Sequence, residues 1–176
     1  MQIRQATSND AKGIATVHVD SWRTTYKGII PDAFLNNLSY EQLTELWKRN
    51  TSDERNYVIV AEKEDGQIIG FATAGTREEN TEENASDLTS IYLLEEYQGK
   101  GIGKQLFKKL FWYFTQRGYK KVFVEVLEEN KTRYFYEKYG ATLVKNVEIK
   151  IGGEVLNELI YEWNDVEKVY RKCSGQ

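Results

Sequence analysis

The chain has 176 residues, a formal charge of −3, one cysteine and one histidine. That length fits one domain with a substantial core. The acidic balance excludes a basic surface for nucleic acid or anionic membrane. One cysteine excludes an internal disulfide and fits a reducing, cytoplasmic setting, and a single His beside a single Cys excludes the usual zinc clusters, so no metal is expected. The first residues, Met1 to Gln5, carry no apolar leader pattern, and no apolar run reaches membrane-spanning length. Aromatic residues make up 13% of the chain, with 12 Tyr and 4 Trp. Most of them are expected in the core, although an apolar body with a polar tip also suits a binding cleft.

In chain order, Ile3 to Gln5 reads as a short strand. Ser8 or Asp10 can cap a helix that runs through Ile14, Val17 and Val19 to Trp22. Residues 21–32, a loop in this reading, hold Trp22, Tyr26 and Pro31, the only proline. Ser39 with Gln42 forms a capping box for a helix to Arg49. The period then changes to two. Tyr57–Glu62 is a strand, Glu64-Asp65-Gly66 a turn, and residues 67–75 the return strand. Residues 77–87 are polar and acidic, a mobile, solvated loop in this reading. As a second reading, Glu78, Glu79, Glu82 and Glu83 attract a cationic amine.

Residues 88–94 form the next strand and lead into Gln98-Gly99-Lys100-Gly101-Ile102-Gly103. A helix follows, with apolar residues at three- and four-residue spacing, and Gly118 ends it. A glycine-rich turn therefore meets a helix N-terminus, where backbone N–H groups lack helical partners and the dipole is positive. That arrangement describes an anion cradle, most naturally for phosphate, as against an ordinary strand–helix turn rich in glycine. It is not a P-loop, because Gln98 and Gln105 occupy the positions of its first Gly and its Ser/Thr. It is not a dinucleotide fingerprint, because Leu106 replaces the last Gly. Beyond it come a strand over Lys121–Leu127, a short helix over Thr132–Lys138 stopped by Gly140, and a hairpin. The hairpin joins residues 144–151 to 154–162 through Gly152-Gly153. The domain is expected over residues 1–164, with residues 165–176 a charged tail. Sequential hairpins with two later crossover helices predict a mixed sheet in an α/β (α+β) architecture.

The run Gln98 to Gly103, Q-x-x-G-x-G between strand and helix, resembles the acetyl-CoA pyrophosphate loop of the GNAT superfamily of N-acetyltransferases. Asn130, Tyr136-Glu137-Lys138, Gly140 and Ala141 resemble that superfamily's second signature, with Ala141 where an aromatic is usual. The segment from Trp22 to Asp32 is similar to a loop of bacterial members. The resemblance covers nearly the whole chain. It implies a mixed, mostly antiparallel central sheet of about six to seven strands flanked by about four helices.

The resemblance also implies acetyl-CoA as cosubstrate and acetyl transfer to a primary amine of a small molecule or peptide by direct attack. A non-catalytic acyl-CoA sensor and an unrelated nucleotide-binding protein are the rival readings. Ile91, Tyr92 and Leu93 would pair with the pantetheine arm, and the Leu93 N–H would polarise the thioester carbonyl. Gln98, Gly99, Lys100, Gly101, Ile102, Gly103 and Lys104 would wrap the pyrophosphate. Asn130 would reach the cofactor, and Tyr136 would be the general acid. Trp22 and Tyr26 are expected to line the acceptor site, and Tyr134, Phe135 and Tyr139 to be core. Glu125, His18, Asp87 and ordered water are all open as the base. Pairing of the final hairpin and tail with a second copy, a homodimer, is also open.

Overall fold

The computed structural model describes residues 1–176. A seven-stranded sheet has the order β1-β2-β3-β4-β5-β7-β6. Its strands are β1 (Gln2–Gln5), β2 (Tyr57–Glu62), β3 (Ile68–Gly75), β4 (Ala85–Leu93), β5 (Lys121–Leu127), β6 (Thr142–Ile151) and β7 (Glu154–Trp163). Neighbours are antiparallel except β4 with β5. A parallel pair needs a crossover, and helix α4 (Ile102–Gln116) supplies it.

Helices cover both faces of the sheet. Phe71 of β3 packs against Trp47 of α3 (Tyr40–Ser52), ring centroids 4.9 Å apart, and lies near His18 of α1 (Ala11–Thr25). Its neighbour Gly70 faces α4, where a Cβ would come within 3.3 Å of Leu106. Successive strand residues point to opposite faces, so α1 and α3 lie on one side and α4 on the other. The buried face of α4 carries Leu106, Phe107, Leu110, Phe111 and Phe114, all fully buried. These recur at three- and four-residue spacing, as an amphipathic helix requires. Phe107 and Phe111 close on Trp163 of β7 at 5.5 and 5.1 Å. No helix is long and apolar enough to cross a membrane.

Four local expectations need correction. The first helix runs on to Thr25, so Trp22 is helical; the connecting segment is shorter, and Pro31 precedes a further helix, α2 (Asp32–Asn36). Asp10 does not cap α1: its carboxylate accepts from the Thr7 N–H at 2.8 Å and from Arg4 at 2.8 and 2.9 Å. The acidic stretch is shorter than read and tied down. β4 already begins at Ala85, Arg77 bonds Asp87 at 2.8 Å, and Glu82 pairs with Lys121 at 2.9 Å. Among the aromatics after α5 (Thr132–Lys138) begins, Tyr139 is core but Tyr134 is 56% exposed.

The largest correction concerns the end of the chain. Residues 165–176, expected as a charged tail, contain helix α6 (Val166–Cys173), whose Asp165 side chain accepts from the Lys168 N–H at 3.0 Å. Val166, Val169 and Cys173 lie in the main core. Burial pushes the Cys173 thiol up to about 11. The charges of this helix occupy the face turned away from the core, so composition hid its apolar stripe. Burial of aliphatic side chains at about 1.5–3 kcal/mol each makes α6 worth on the order of 4 kcal/mol. Removing residues 165–176 is expected to lower Tm by roughly 10 °C in differential scanning calorimetry. A truncated chain that melts with the full-length protein contradicts this packing.

Candidate active site

The site begins where the sheet comes apart. β4 and β5 pair only from Ala85↔Lys121 to Leu88↔Val124. On the other side of β4 the register runs Thr73↔Ser90 and then Ala74↔Leu88, leaving Thr89 without a cross-strand partner. An extra residue of this kind is a β-bulge, which bends its strand and increases its twist. Past Leu88, β4 stays with β3, while β5 stays with β7 through Leu127. The two strands diverge into a wedge with unpaired backbone along its inner edges.

The direction of those edges follows from one bond. Leu94 donates its N–H to Ile69 O at 2.9 Å. Amides alternate between the two edges of a strand, so the Leu93 and Ile91 amides face away from β3, toward the gap. Gln98 ties the end of β4 to the next segment by donating from Nε2 to Leu93 O at 3.0 Å. A 3-10 turn at Glu95–Tyr97, absent from the sequence reading, links β4 to the glycine loop. Gly99 and Gly101 have φ of 72° and 82°, a region that favours glycine, and a Cβ on either would meet nothing within 4 Å. The amides of residues 99–104 find no acceptor within the protein. The loop is thus open, and its donors are free for an anion. Ile102 is buried, so it can serve such a ligand only through its backbone; Lys100 and Lys104 are exposed, with the Lys100 ammonium 5.5 Å from the Tyr97 ring centre.

A cleft fills the wedge. Ile91, Tyr92, Asn130, Tyr136, Trp22 and Tyr26, all singled out from sequence, line it together. Tyr26 and Tyr92 share a hydroxyl–hydroxyl bond of 2.8 Å, and Asn130 donates from Nδ2 to the Tyr26 hydroxyl at 3.4 Å. Asn130 Oδ1 accepts from the Thr132 N–H at 3.0 Å, which places it at the head of α5. Tyr136 is 4% exposed and its hydroxyl makes no hydrogen bond within the protein; burial pushes its pKa up, and so does the neighbouring Tyr26 hydroxyl. The roof is apolar. Tyr26, Ile30, Leu35 and Leu127 form a second cluster against Ile149 and Ile151 of the last hairpin. The hairpin's turn docks on α2, where a Cβ on Gly152 would come 3.0 Å from Phe34 Cβ.

Two of the open bases are already engaged. His18 Nδ1 accepts from Trp47 Nε1 at 3.0 Å, and its ring lies parallel to that of Tyr92, 6.3 Å away. Burial lowers its pKa to about 4. With the Nδ1 lone pair taken and the proton on Nε2, this imidazole has no lone pair to offer a substrate. Asp87 is 1% exposed and accepts from the Arg77 N–H, Arg77 Nε and Asn80 Nδ2 at 2.8–3.0 Å. Arg77 also pairs with Glu125. Sequence reasoning missed Arg77, Glu158, Ile149 and Ile151 as lining residues of the cleft. They sit outside both glycine-bearing motifs, on a loop and a hairpin whose position depends on the long-range pairing of β7 with β5.

The acetyltransferase (GNAT) family model matches residues 19–141. The chain belongs to the GNAT family of acetyltransferases. It is 40% identical over 164 residues, 93% of each chain, to the uncharacterized N-acetyltransferase YuaI of Bacillus subtilis. Its fold matches a ribosomal-protein-alanine N-acetyltransferase from Brucella melitensis with TM-score 0.75 and 22% identity, covering 93% of this chain and 99% of that one. The PaiA N-acetyltransferase from Thermoplasma acidophilum, crystallised with coenzyme A, matches with TM-score 0.68 and 24% identity over 89% and 96% of the two chains. The sheet, with seven strands where about six to seven were expected, is that of the GNAT fold, and this GNAT protein is an acyltransferase. The sensor and the unrelated nucleotide-binding protein, kept as rivals on sequence, are set aside by this membership.

Two outcomes follow for this acetyltransferase. A β-branched side chain at Gly101 must adopt positive φ, at about 1–2 kcal/mol. Gly101→Val is expected to weaken coenzyme A binding about tenfold or more in calorimetry. Unchanged affinity would remove the glycine turn from the binding site. His18 contributes a pH dependence of stability. The unfolded imidazole takes a proton below its usual 6.5, and the folded one only below about 4. The unfolded state therefore binds more protons between these values, and stability falls as pH drops through that window. Denaturation at pH 5 against pH 7 should show about 2 kcal/mol less stability, and a His18→Asn variant should lose that difference.

Proposed function

We propose that the protein transfers the acetyl group of acetyl-CoA to a primary amine of a small molecule or peptide, by direct attack within a ternary complex. The observation that carries this reading is the wedge itself. Its free β4 edge runs from the cleft, lined by Ile91, Tyr92 and Tyr136, to Leu93, which Gln98 ties to the open glycine turn. The residues present fit the carrier: unbonded amides for its diphosphate and an unpaired strand edge for its amide-bearing arm. When bound, acetyl-CoA supplies an acyl group activated as a thioester.

This chain's own groups then have separable tasks. The amides of residues 99–104 hold the diphosphate, with Lys100 and Lys104 beside it. Gln98 keeps the loop in register with the end of β4. Ile91 and Tyr92 offer backbone partners to the pantetheine arm. The Leu93 amide, fixed by the pairing of Leu94, polarises the acyl carbonyl; a preset donor is worth most where charge develops. Asn130 keeps a second Nδ2 hydrogen free for the carrier. The departing thiolate needs a proton, and Tyr136, a neutral hydroxyl in an apolar wall, can donate it. Trp22 and Tyr26 receive the acceptor. No covalent enzyme intermediate is needed, and Cys173 is buried and is not among the residues that line the cleft.

The test is thiol release from acetyl-CoA across a panel of primary amines. The wild type should acetylate members of the panel, and Tyr136→Phe should lower kcat by about 10²–10⁴-fold with KM for acetyl-CoA little changed. An unaltered kcat in Tyr136→Phe would show that another group protonates the thiolate.

A further inference from the structure

One carboxylate in the cleft has no counter-charge. Two carboxylates line it, Glu125 and Glu158, together with the cation Arg77. Arg77 is claimed: it holds Asp87 at 2.8 Å and pairs with Glu125. The Glu158 carboxylate forms neither an ion pair nor a hydrogen bond, although the residue is half-buried. It sits on β7 between Leu127 of β5 and Val147 of β6. Residues two apart on a strand share a face, so Glu125 lies beside it on β5. The other groups that act on it are Arg77 and Tyr26; Lys145, across from Ile160 on β6, is exposed and makes no ion pair with it. Burial raises its pKa, with Arg77 opposing.

A half-buried carboxylate without a partner is costly unless a ligand supplies one. The same cleft is lined by the aromatic residues Trp22 and Tyr26 and by Ile149 and Ile151. Aromatic faces attract cations, and the isoleucines favour an apolar chain. We propose that Glu158 binds the acceptor's ammonium group and removes its proton, and that the acceptor is a cationic amine carried on an aliphatic chain. The proposal rests on the acetyltransferase reading of the cleft and assigns the base that reading leaves open.

The step balances. R–NH3⁺ gives one proton to the Glu158 carboxylate and becomes R–NH2. The nitrogen lone pair forms the C–N bond, the C–S bond breaks, and the sulfur takes a proton from Tyr136. The nitrogen loses its second proton to solvent as the amide forms. One proton from Glu158 then returns to solvent and another from solvent restores Tyr136, so the net products are the acetamide, the free thiol of coenzyme A and one H⁺.

The test uses the full chain, acetyl-CoA, and hexylamine and 1,6-diaminohexane as probes, beside alaninamide and alanine. Hexylamine and the diamine should be the preferred substrates. Glu158→Gln should lower kcat/KM for them by about 10²–10⁴-fold, with KM for acetyl-CoA unchanged. The wild-type profile should rise with pH as Glu158 ionises, above the usual carboxylate range. In Glu158→Gln that limb should vanish, leaving a rate that climbs only with the free-amine fraction. Glu158→Asp should restore the limb in part, which a purely structural role would not predict. Retention of rate and pH profile in Glu158→Gln overturns the proposal and leaves the acetyltransferase reading intact. So does a wild type that prefers alanine, or one that binds coenzyme A yet acetylates neither aliphatic amine. Failure to bind coenzyme A at all would instead bring down the underlying reading.

Discussion

The separation of β4 from β5 after the Leu88↔Val124 pair is the constraint on which the site depends. A sheet normally satisfies its backbone by pairing it. Here the bulge at Thr89 carries β4 one way with β3, while β7 holds β5 the other way. The gap leaves peptide groups that water or a ligand must satisfy. The flanking elements respect that gap. α4 begins beyond the end of β4 and leaves its first amides free; the turn after β5 presents Asn130, and α5 beyond it presents Tyr136. One irregularity in strand register thus positions both the glycine turn and Tyr136.

The electrostatics of the cleft are organised by a single cation. Arg77 bridges Asp87 and Glu125 and ties the two ends of the acidic segment together. The aromatic residues in and beside the cleft are kept uncharged. Tyr26, Tyr92 and Tyr136 all have pKa values raised by burial, and His18 is held neutral. Charge is kept off these side chains and gathered at one edge, where a single cation is shared by two carboxylates. Glu158, a cleft carboxylate outside that cluster with no ion pair, is therefore conspicuous.

Much of this was legible in the sequence because the signals are local. Period-two runs located β2 and β5 to the residue, the glycine turn and capping box located the helices after them, and two motifs brought Asn130 and Tyr136 to the same cleft as Tyr92. What stayed hidden depends on distant partners. α6 was taken for a tail because its charges outnumber its apolar stripe, and only packing in the core reveals the stripe. Arg77 looked like the first residue of a solvated loop until the paired strands brought Asp87 and Glu125 to it. Glu158 carries no local mark; it faces the cleft because β7, the second strand of a hairpin, pairs inward with β5 while β6 takes the edge. Asp10 and Ser8 were equal candidates for a cap, and Arg4, drawn in by strand pairing, decided the orientation of Asp10.

The place of the one cysteine has a practical consequence. A thiolate is the reactive form, and Cys173 is both 3% exposed and held in its protonated form well beyond neutral pH. Dyes that titrate free sulfhydryls should pass the folded protein by, so colour in such an assay reports the carrier alone. The same burial shields the chain from oxidative cross-linking through that side chain while it stays folded.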